Sequence, residues 1–293
     1  MTEELDELNR LFTSRNVDDI IKFYDHFDNA GQLIEWMKNR PSAPMQIYEV
    51  EGDKDIVIVI PTSNHDGEYA KNCANEIFKG QQIVFVESNG PFFNYARSSN
   101  YGLKYALKYN PKWIVLSNDD MYKTDDVSIL KSELSKMVGK ADIVFTIPPK
   151  HHSHDISIYK QRLLLLLYRR INRYNIVRLK LFNRYNIKLL LRQINFVKRI
   201  FMKPVYTFKL TGAFSVLSCN LVSKQDIFDE VFINGFEDIY FSYKISKENI
   251  RTGVIEFKIG SYGGGSLGTD ITRQIRNISN LAYFNMLLRG KVN

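Results

Sequence analysis

The stretch "WIVLSNDDMY", residues 113–122, decides how the chain is read. Four apolar residues, Trp113 to Leu116, have the length and character of a buried strand, which then stops at Asn118 and the adjacent carboxylates Asp119 and Asp120. A buried strand that ends in acids is most simply explained by a ligand, because open α/β sheets bind ligands beyond the carboxyl ends of their strands. In isolation, the acidic pair also suits a turn or a helix cap, as Asp commonly does. The flanking segments carry the argument further.

Upstream, "DIVIVIPTSN" (55–64) reads as a buried strand broken by Pro61, and "GEYAKNCANEIF" (67–78) as the helix after it. "QQIVFVESNG" (81–90) is a second strand closed by an Asn-Gly turn. "NYGLKYALKY" (100–109) is a second helix, and "ADIVFTIPP" (141–149) a further strand. Strands separated by helices predict an α/β domain built on a parallel sheet with right-handed crossovers. After a basic segment, "KLTGAFSVLS" (209–218) reads as a strand, "KQDIFDEVF" (224–232) as a helix or turn, and "GFEDIYFSYKISKE" (235–248) as a helix. "RTGVIEFKIGSYGGGS" (251–266) is a strand running into a glycine loop, and "TDITRQIRNISNLAYFNMLLRG" (269–290) a closing helix. Residues 1–50 are expected to be a peripheral helical extension, with Leu5, Leu8, Phe12, Ile20, Ile21 and Tyr24 in helical spacing and Pro41 and Pro44 ending it. Residues 51–293 then form the main domain, interrupted by a basic helical insert at 156–205.

Three strands end in polar groups: Pro61, Thr62, Ser63 and Asn64; Glu87, Ser88, Asn89 and Gly90; Asn118, Asp119 and Asp120. Hydroxyl, amide and carboxylate groups converging on one crevice suit a nucleoside. A carboxylate beside a diphosphate requires a divalent cation between them, since the charges otherwise repel.

The order of these motifs resembles the family 2 glycosyltransferases of GT-A fold, in particular the rhamnosyltransferase-like branch. "IPTSN" at 60–64 is similar to the family's V-T-Y-N, and "VESNG" at 86–90 to its V-D-N-G. "NYARSSNYGLKYAL" at 94–107 resembles G-F-A-x-G-N-N-x-G through Ala96, Asn100 and Gly102, and "LSNDD" at 116–120 resembles L-N-N-D. "TGAFSVLSCN", "FDEVFINGFEDIY" and "SYGGGS" are similar to G-A-x-x-L-x-R, F-D-E-x-F-F-x-x-x-E-D-x-D and H-K-G-G-G-S. The likeness spans about residues 55–290 except the insert.

The resemblance implies a Rossmann-like mixed sheet flanked by helices and an inverting transfer of a sugar from a nucleotide diphosphate, a UDP- or dTDP-sugar, to a saccharide or other hydroxyl acceptor. Pro61, Thr62, Asn64, Glu87, Ser88 and Asn89 are expected around the nucleoside, Arg97 on the diphosphate, and Gly264 where bare backbone approaches phosphate. Asp120, with Asp119 or Asn118, is expected to hold Mg²⁺ or Mn²⁺. Asp238 is expected as the general base, with Glu237 as its alternate. Four positions depart from the family: Ser88 and Tyr240 replace aspartates, Ser261 replaces a histidine, and Asn118 replaces a carboxylate. Two other functions fit the same pattern. One is a non-catalytic GT-A scaffold that binds sugar nucleotide or nucleic acid; the other is a nucleotidyltransferase, which would release pyrophosphate.

Charge is unevenly placed. Residues 156–225 hold fifteen of the 40 Lys and Arg and none of the 32 Asp and Glu, which leaves a net charge of −7 elsewhere. Within this segment "NRYNIVRL" (172–179) recurs as "NRYNIKLL" (183–190), an offset of about three helical turns that puts both copies on one face. Arg173, Arg184, Lys188 and Arg192 form its cationic strip. An anionic membrane surface, a helical hairpin packed on the domain, and nucleic acid all suit such a strip, the last least because no known module is present. "HHSHD" (151–155) is too crowded to close a tetrahedral metal site alone and reads as a solvated loop or an acceptor contact. Two cysteines, Cys73 and Cys219, support neither a disulfide framework nor a zinc knuckle. The acidic, polar first residues do not read as a secretory signal, and no apolar run is long enough to span a bilayer. A cytoplasmic protein, docked on the inner face of a membrane if the basic strip does so, is the resulting expectation.

Overall fold

The computed structural model describes residues 2–147, 155–159, 204–209, 212–248, 250–262 and 271–288. Its centre is a seven-stranded mixed sheet flanked by helices. The first three sheet strands along the chain are β1 (Gln46–Val50), β2 (Asp53–Thr62) and β3 (Gln81–Glu87). Next come β4 (Trp113–Ser117), the short β5 (Met121–Lys123) and β6 (Ile143–Ile147). β7 (Asp155–Tyr159) and β8 (Pro204–Lys209) form a separate antiparallel ribbon. β9 (Phe214–Ser218), β10 (Thr252–Glu256) and β11 (Ile259–Ser261) complete the set.

The spatial order is β1-β3-β2-β4-β9-β6-β10. β2 pairs in parallel with both β3 and β4, so the chain leaves β2 to one side and returns on the other. The carboxyl end of β2 is therefore a topological switch point, where the connecting loops diverge and leave a crevice. The sheet is mixed, as expected: β9 runs antiparallel between β4 and β6, and β1 antiparallel on β3. Sequence alternation reports burial but not direction, so these reversals were invisible in it.

β2 is apolar on both faces because both faces are covered. Ile56, Ile58 and Ile60 join Phe78, Leu130 and Leu134 on one side, while Val57 and Val59 join Leu103, Ala106 and Phe241 on the other. On the first face lie the helices α4 (Glu68–Asn72) and α6 (Val127–Ser135), and on the second α7 (Cys219–Lys224) and the longer α5 (Tyr95–Ala106). It can come this close because of Gly102: a Cβ there would stand 2.5 Å from Val86 Cγ2 and 2.6 Å from Val59 Cγ1.

The amino-terminal helices α1 (Thr2–Thr13), α2 (Val17–Asp25) and α3 (Ala30–Lys38) are not peripheral. Leu11, Phe12, Phe23, Trp36 and Met37 form a third core with Phe232, Ile233, Tyr283 and Phe284, the last two on the closing helix α9 (Ile271–Leu288). The extension also ends before residue 50, because Gln46–Val50 is an edge strand of the main sheet. The basic segment begins and ends as strands, β7 and β8, where a helix had been expected; its remaining residues, with the NRYNI repeats, lie outside those described, as do His151–His154. No helix among the described residues is long and apolar enough to cross a membrane.

Candidate functional site at the carboxyl edge of the sheet

The ends of β2, β3 and β4 meet as the sequence pattern required. Pro61 and Thr62 are the last residues of β2 and lie opposite Val86 and Glu87 of β3. The Ser88 amide donates to the Thr62 carbonyl at 3.0 Å, extending the pairing by one residue. The Thr62 hydroxyl reaches across to β4 and donates to Asp119 Oδ2 at 2.7 Å. Asn64 folds the next turn, its Oδ1 accepting from the Asp66 amide at 3.0 Å, and Asn89 Nδ2 stands 3.4 Å from the Ser63 carbonyl.

Asp119 and Asp120 are both buried, at 8% and 3% exposure. Burial raises the pKa of Asp119 and the neighbouring Asp120 carboxylate adds to this, against the stabilising Thr62 bond. Asp120 Oδ1 lies 3.4 Å from the Ser261 hydroxyl, and its carbonyl accepts from the Tyr262 amide at 3.0 Å. Both contacts follow from the antiparallel pairing of β5 with β11, which sets Met121 against Ser261. Cys73 lies beneath the turn, its thiol 3.3 Å from the Asp119 carbonyl, and burial pushes it up to about 12. Burial thus favours its neutral thiol form.

The two buried, adjacent carboxylates repel one another, and a cation would relieve that repulsion. Among the described residues no cluster of three or more His, Cys, Asp or Glu side chains could hold a metal. Two carboxylates do not make an all-protein cage. They do fit a small hard ion that takes one or two carboxylates and completes its shell with ligand phosphates and water.

Tyr95, whose role has no local signal in the sequence, links this pair to a second acidic group. Its hydroxyl donates to Asn118 Oδ1 at 2.9 Å. Its pKa is driven upward by burial first and then by the carboxylates of Glu237, Asp238 and Asp119, so it remains a donor. Glu237 and Asp238 open the helix α8 (Glu237–Lys247), where the first turn's free N–H groups favour negative charge. Phe236 immediately before it is held at φ +73°, a conformation of order 1–3 kcal/mol for a bulky residue, of the kind that collects at functional sites.

The two acids differ in setting. Glu237 is buried and its Oε2 has no hydrogen-bond partner among the described residues. Its pKa is raised by burial and by Asp238, with Arg273 opposing. Asp238 is half-buried, with Oδ1 accepting from the Ile239 amide at 2.7 Å.

Arg97 is placed differently from expectation. It does not turn toward the acidic pair: Nη1 donates to the Arg40 and Pro41 carbonyls at 3.2 and 3.0 Å and to the Ser42 hydroxyl at 2.7 Å. It sits two residues beyond Tyr95, which a helix turns by more than a right angle to a different face. Glu87 Oε2 accepts from the His65 amide at 2.9 Å and lies 2.6 Å from His65 Nδ1, while the His65 ring stacks on Tyr48 with centroids 3.4 Å apart. Asn100 and Asn94 serve the fold. Asn100 exchanges bonds with both backbone groups of Phe228, and Asn94 Nδ2 donates to the Glu230 and Phe232 carbonyls. These asparagines tie α5 to the loop that delivers Glu237 and Asp238. Gly264 lies outside the described residues.

No family model matches the chain, and no curated protein matches it. Among solved structures, the crystal structure of A197 from STIV aligns with 69% of this chain and 81% of that one, at 11% sequence identity and a TM-score of 0.36. A likeness this slight carries no conclusion about fold family or function.

Proposed function

We propose that the chain is an inverting glycosyltransferase of GT-A type, moving a sugar from a nucleotide diphosphate, a UDP- or dTDP-sugar, to a hydroxyl of a saccharide acceptor. The observation that supports this most is the approach of Asp119, Glu237 and Asp238 to Tyr95, at the switch point of an α/β sheet, from segments more than 100 residues apart. Two acidic pairs in one crevice suit two tasks, holding a diphosphate through a cation and accepting a proton.

In this reading the nucleoside lies over the ends of β2 and β3, near Thr62, Ser88 and the stacked His65 and Tyr48. Asp120 and Asp119 would hold Mg²⁺ or Mn²⁺, which would supply positive charge to offset the negative charge developing on the diphosphate leaving group. Asp238, the more accessible acid, takes the proton from the acceptor hydroxyl. The acceptor oxygen forms its bond to the anomeric carbon as the bond to the phosphate oxygen breaks, and that electron pair leaves on the diphosphate. Attack opposite the leaving group inverts the centre. Glu237, buried and displaced toward its neutral form, adds no second negative charge beside the base.

The test is thermal stability with UDP, dTDP, GDP and CDP, each with and without Mn²⁺. A ligand at 100 times its Kd stabilises by about 2.7 kcal/mol. The expected result is a shift with one nucleotide that needs Mn²⁺ and is lost in Asp120→Ala, together with sugar transfer that is lost in Asp238→Asn. Failure of every nucleotide to bind would overturn the proposal, and release of pyrophosphate from a nucleoside triphosphate would replace it with nucleotidyl transfer.

A further inference from the structure

A second concavity, of about 410 Å³, opens between α1, the turn at Gly90–Phe93, the loop before α8 and the first turns of α9. Three arginines line it, Arg40, Arg273 and Arg276, with Asn234 and Asn277, and among the described residues no Asp or Glu does. Three arginines facing one cleft describe a surface arranged for a negative ligand.

Arg40 is the informative member. It is 5% exposed, yet its bonds are all to neutral groups. Nε donates to Asn9 Oδ1 at 3.0 Å, Nη2 donates to the Pro91 carbonyl, and the rings of Phe12 and Phe92 flank the guanidinium at 5.9 and 5.7 Å. Nη1 is buried with no hydrogen-bond partner among the described residues. Burial first, and Arg97 second, lower its pKa to about 10, which still leaves it charged at neutral pH. A buried cation with no counter-charge among the described residues is costly, and an anion in the cleft removes that cost.

Arg276 frames the cleft, with Nη1 donating to the Thr13 and Ser14 carbonyls and Nη2 to Thr272 Oγ1. Arg273, half-buried one turn earlier on α9, is close enough to lower the pKa of Glu237, so the cleft adjoins the acidic crevice at that residue.

We propose that this cleft binds an oxyanion, the phosphate or carboxylate group of a small ligand, with Arg40 and Arg273 as its charged donors. A guanidinium presents paired N–H groups that match either anion bidentately. The volume holds a ligand of sugar-phosphate size. The anion site stands without the transfer reading. Only the identification of the ligand as the acceptor, a hydroxyl compound with its anionic group here and its hydroxyl at Asp238, rests on it.

Isothermal titration of the whole chain at fixed ionic strength and without divalent cation tests the site, with inorganic phosphate and malonate as the two probes. One saturable site is expected, weakened at least tenfold in Arg273→Gln and unchanged in Lys140→Gln, which removes an exposed charge elsewhere. Arg40→Lys is expected to weaken binding further; should it fail to fold, Arg273→Gln, half-exposed on a helix surface, carries the test alone. Preference for phosphate assigns a phosphorylated ligand, and preference for malonate a carboxylated one. No saturable binding of either probe, or equal affinity in wild type and Arg273→Gln, overturns the proposal. Mn²⁺-dependent nucleotide binding that persists beside that result leaves the transfer reading standing and removes this site alone.

Discussion

Replacing Glu237 by Gln should change how stability depends on pH, not merely its level. The side chain is 7% exposed, one carboxyl oxygen lacks a hydrogen-bond partner among the described residues, and the Asp238 carboxylate is adjacent. Burial and that neighbour raise its pKa in the folded chain, while the unfolded chain releases the proton near the ordinary value of about 4.3. Between these two values the native state holds a proton that the unfolded state has lost. Stability contributed by the neutral acid is therefore fully present below the unfolded value and declines as pH rises, until the folded value is passed. Fully buried carboxyls move by up to roughly 3–5 units, each worth about 1.4 kcal/mol. Arg273 and the backbone N–H groups of the helix start oppose the displacement, so a loss on the order of 3 kcal/mol is a fair expectation. Glu237→Gln keeps the shape and removes the titration. Any pH-independent penalty from its amide moves the whole variant curve without changing its slope. Denaturant midpoints for both proteins between about pH 5 and pH 9 give the comparison, since other titrating groups largely cancel in the difference. The wild type should lose about 3 kcal/mol relative to the variant across that span. Parallel curves would show that Glu237 ionises normally, and would refute the assignment of Asp238 as the charged member of the pair.

Other outcomes follow from the packing and the charge pattern. Gly102→Ala should destabilise by about 1–3 kcal/mol in thermal unfolding, because overpacking against Val59 and Val86 outweighs the roughly 1 kcal/mol gain in helix propensity. Asn100→Ala should cost about 2–4 kcal/mol by the same assay, since it strips both backbone groups of buried Phe228 of their partner. Thr62→Val removes the 2.7 Å bond to Asp119, so it should weaken Mn²⁺-dependent nucleotide binding more than it lowers the melting temperature. A reversal of that order would make Thr62 a stability residue only. The whole chain should sediment with phosphatidylserine vesicles through its basic segment, and the bound fraction should fall steeply with salt.

The strands and the acids at their ends are legible in local stretches of the chain. Continuous apolar runs at Ile56–Ile60, Ile83–Val86 and Trp113–Leu116 declare strands buried on both faces, since burial is a property of each residue's own chemistry. Asp119, Asp120, Glu237 and Asp238 are legible as candidates too, because polar groups at strand ends and a helix start are local signals. The tertiary structure alone decided what each of them touches. Tyr95 looks like any helical aromatic until the sheet order brings Asn118 beneath its hydroxyl. Arg97 looks like a phosphate ligand until the helix phase turns it toward Arg40 and Pro41. The amino-terminal helices looked peripheral because their partners, Phe232 and Tyr283, lie some two hundred residues or more along the chain. The arginine cleft was equally hidden, since Arg40 and Arg273 line one cavity only when α9 packs on that amino-terminal layer. Strand direction, helix phase and long-range contact depend on the whole chain at once, and no window of sequence contains them.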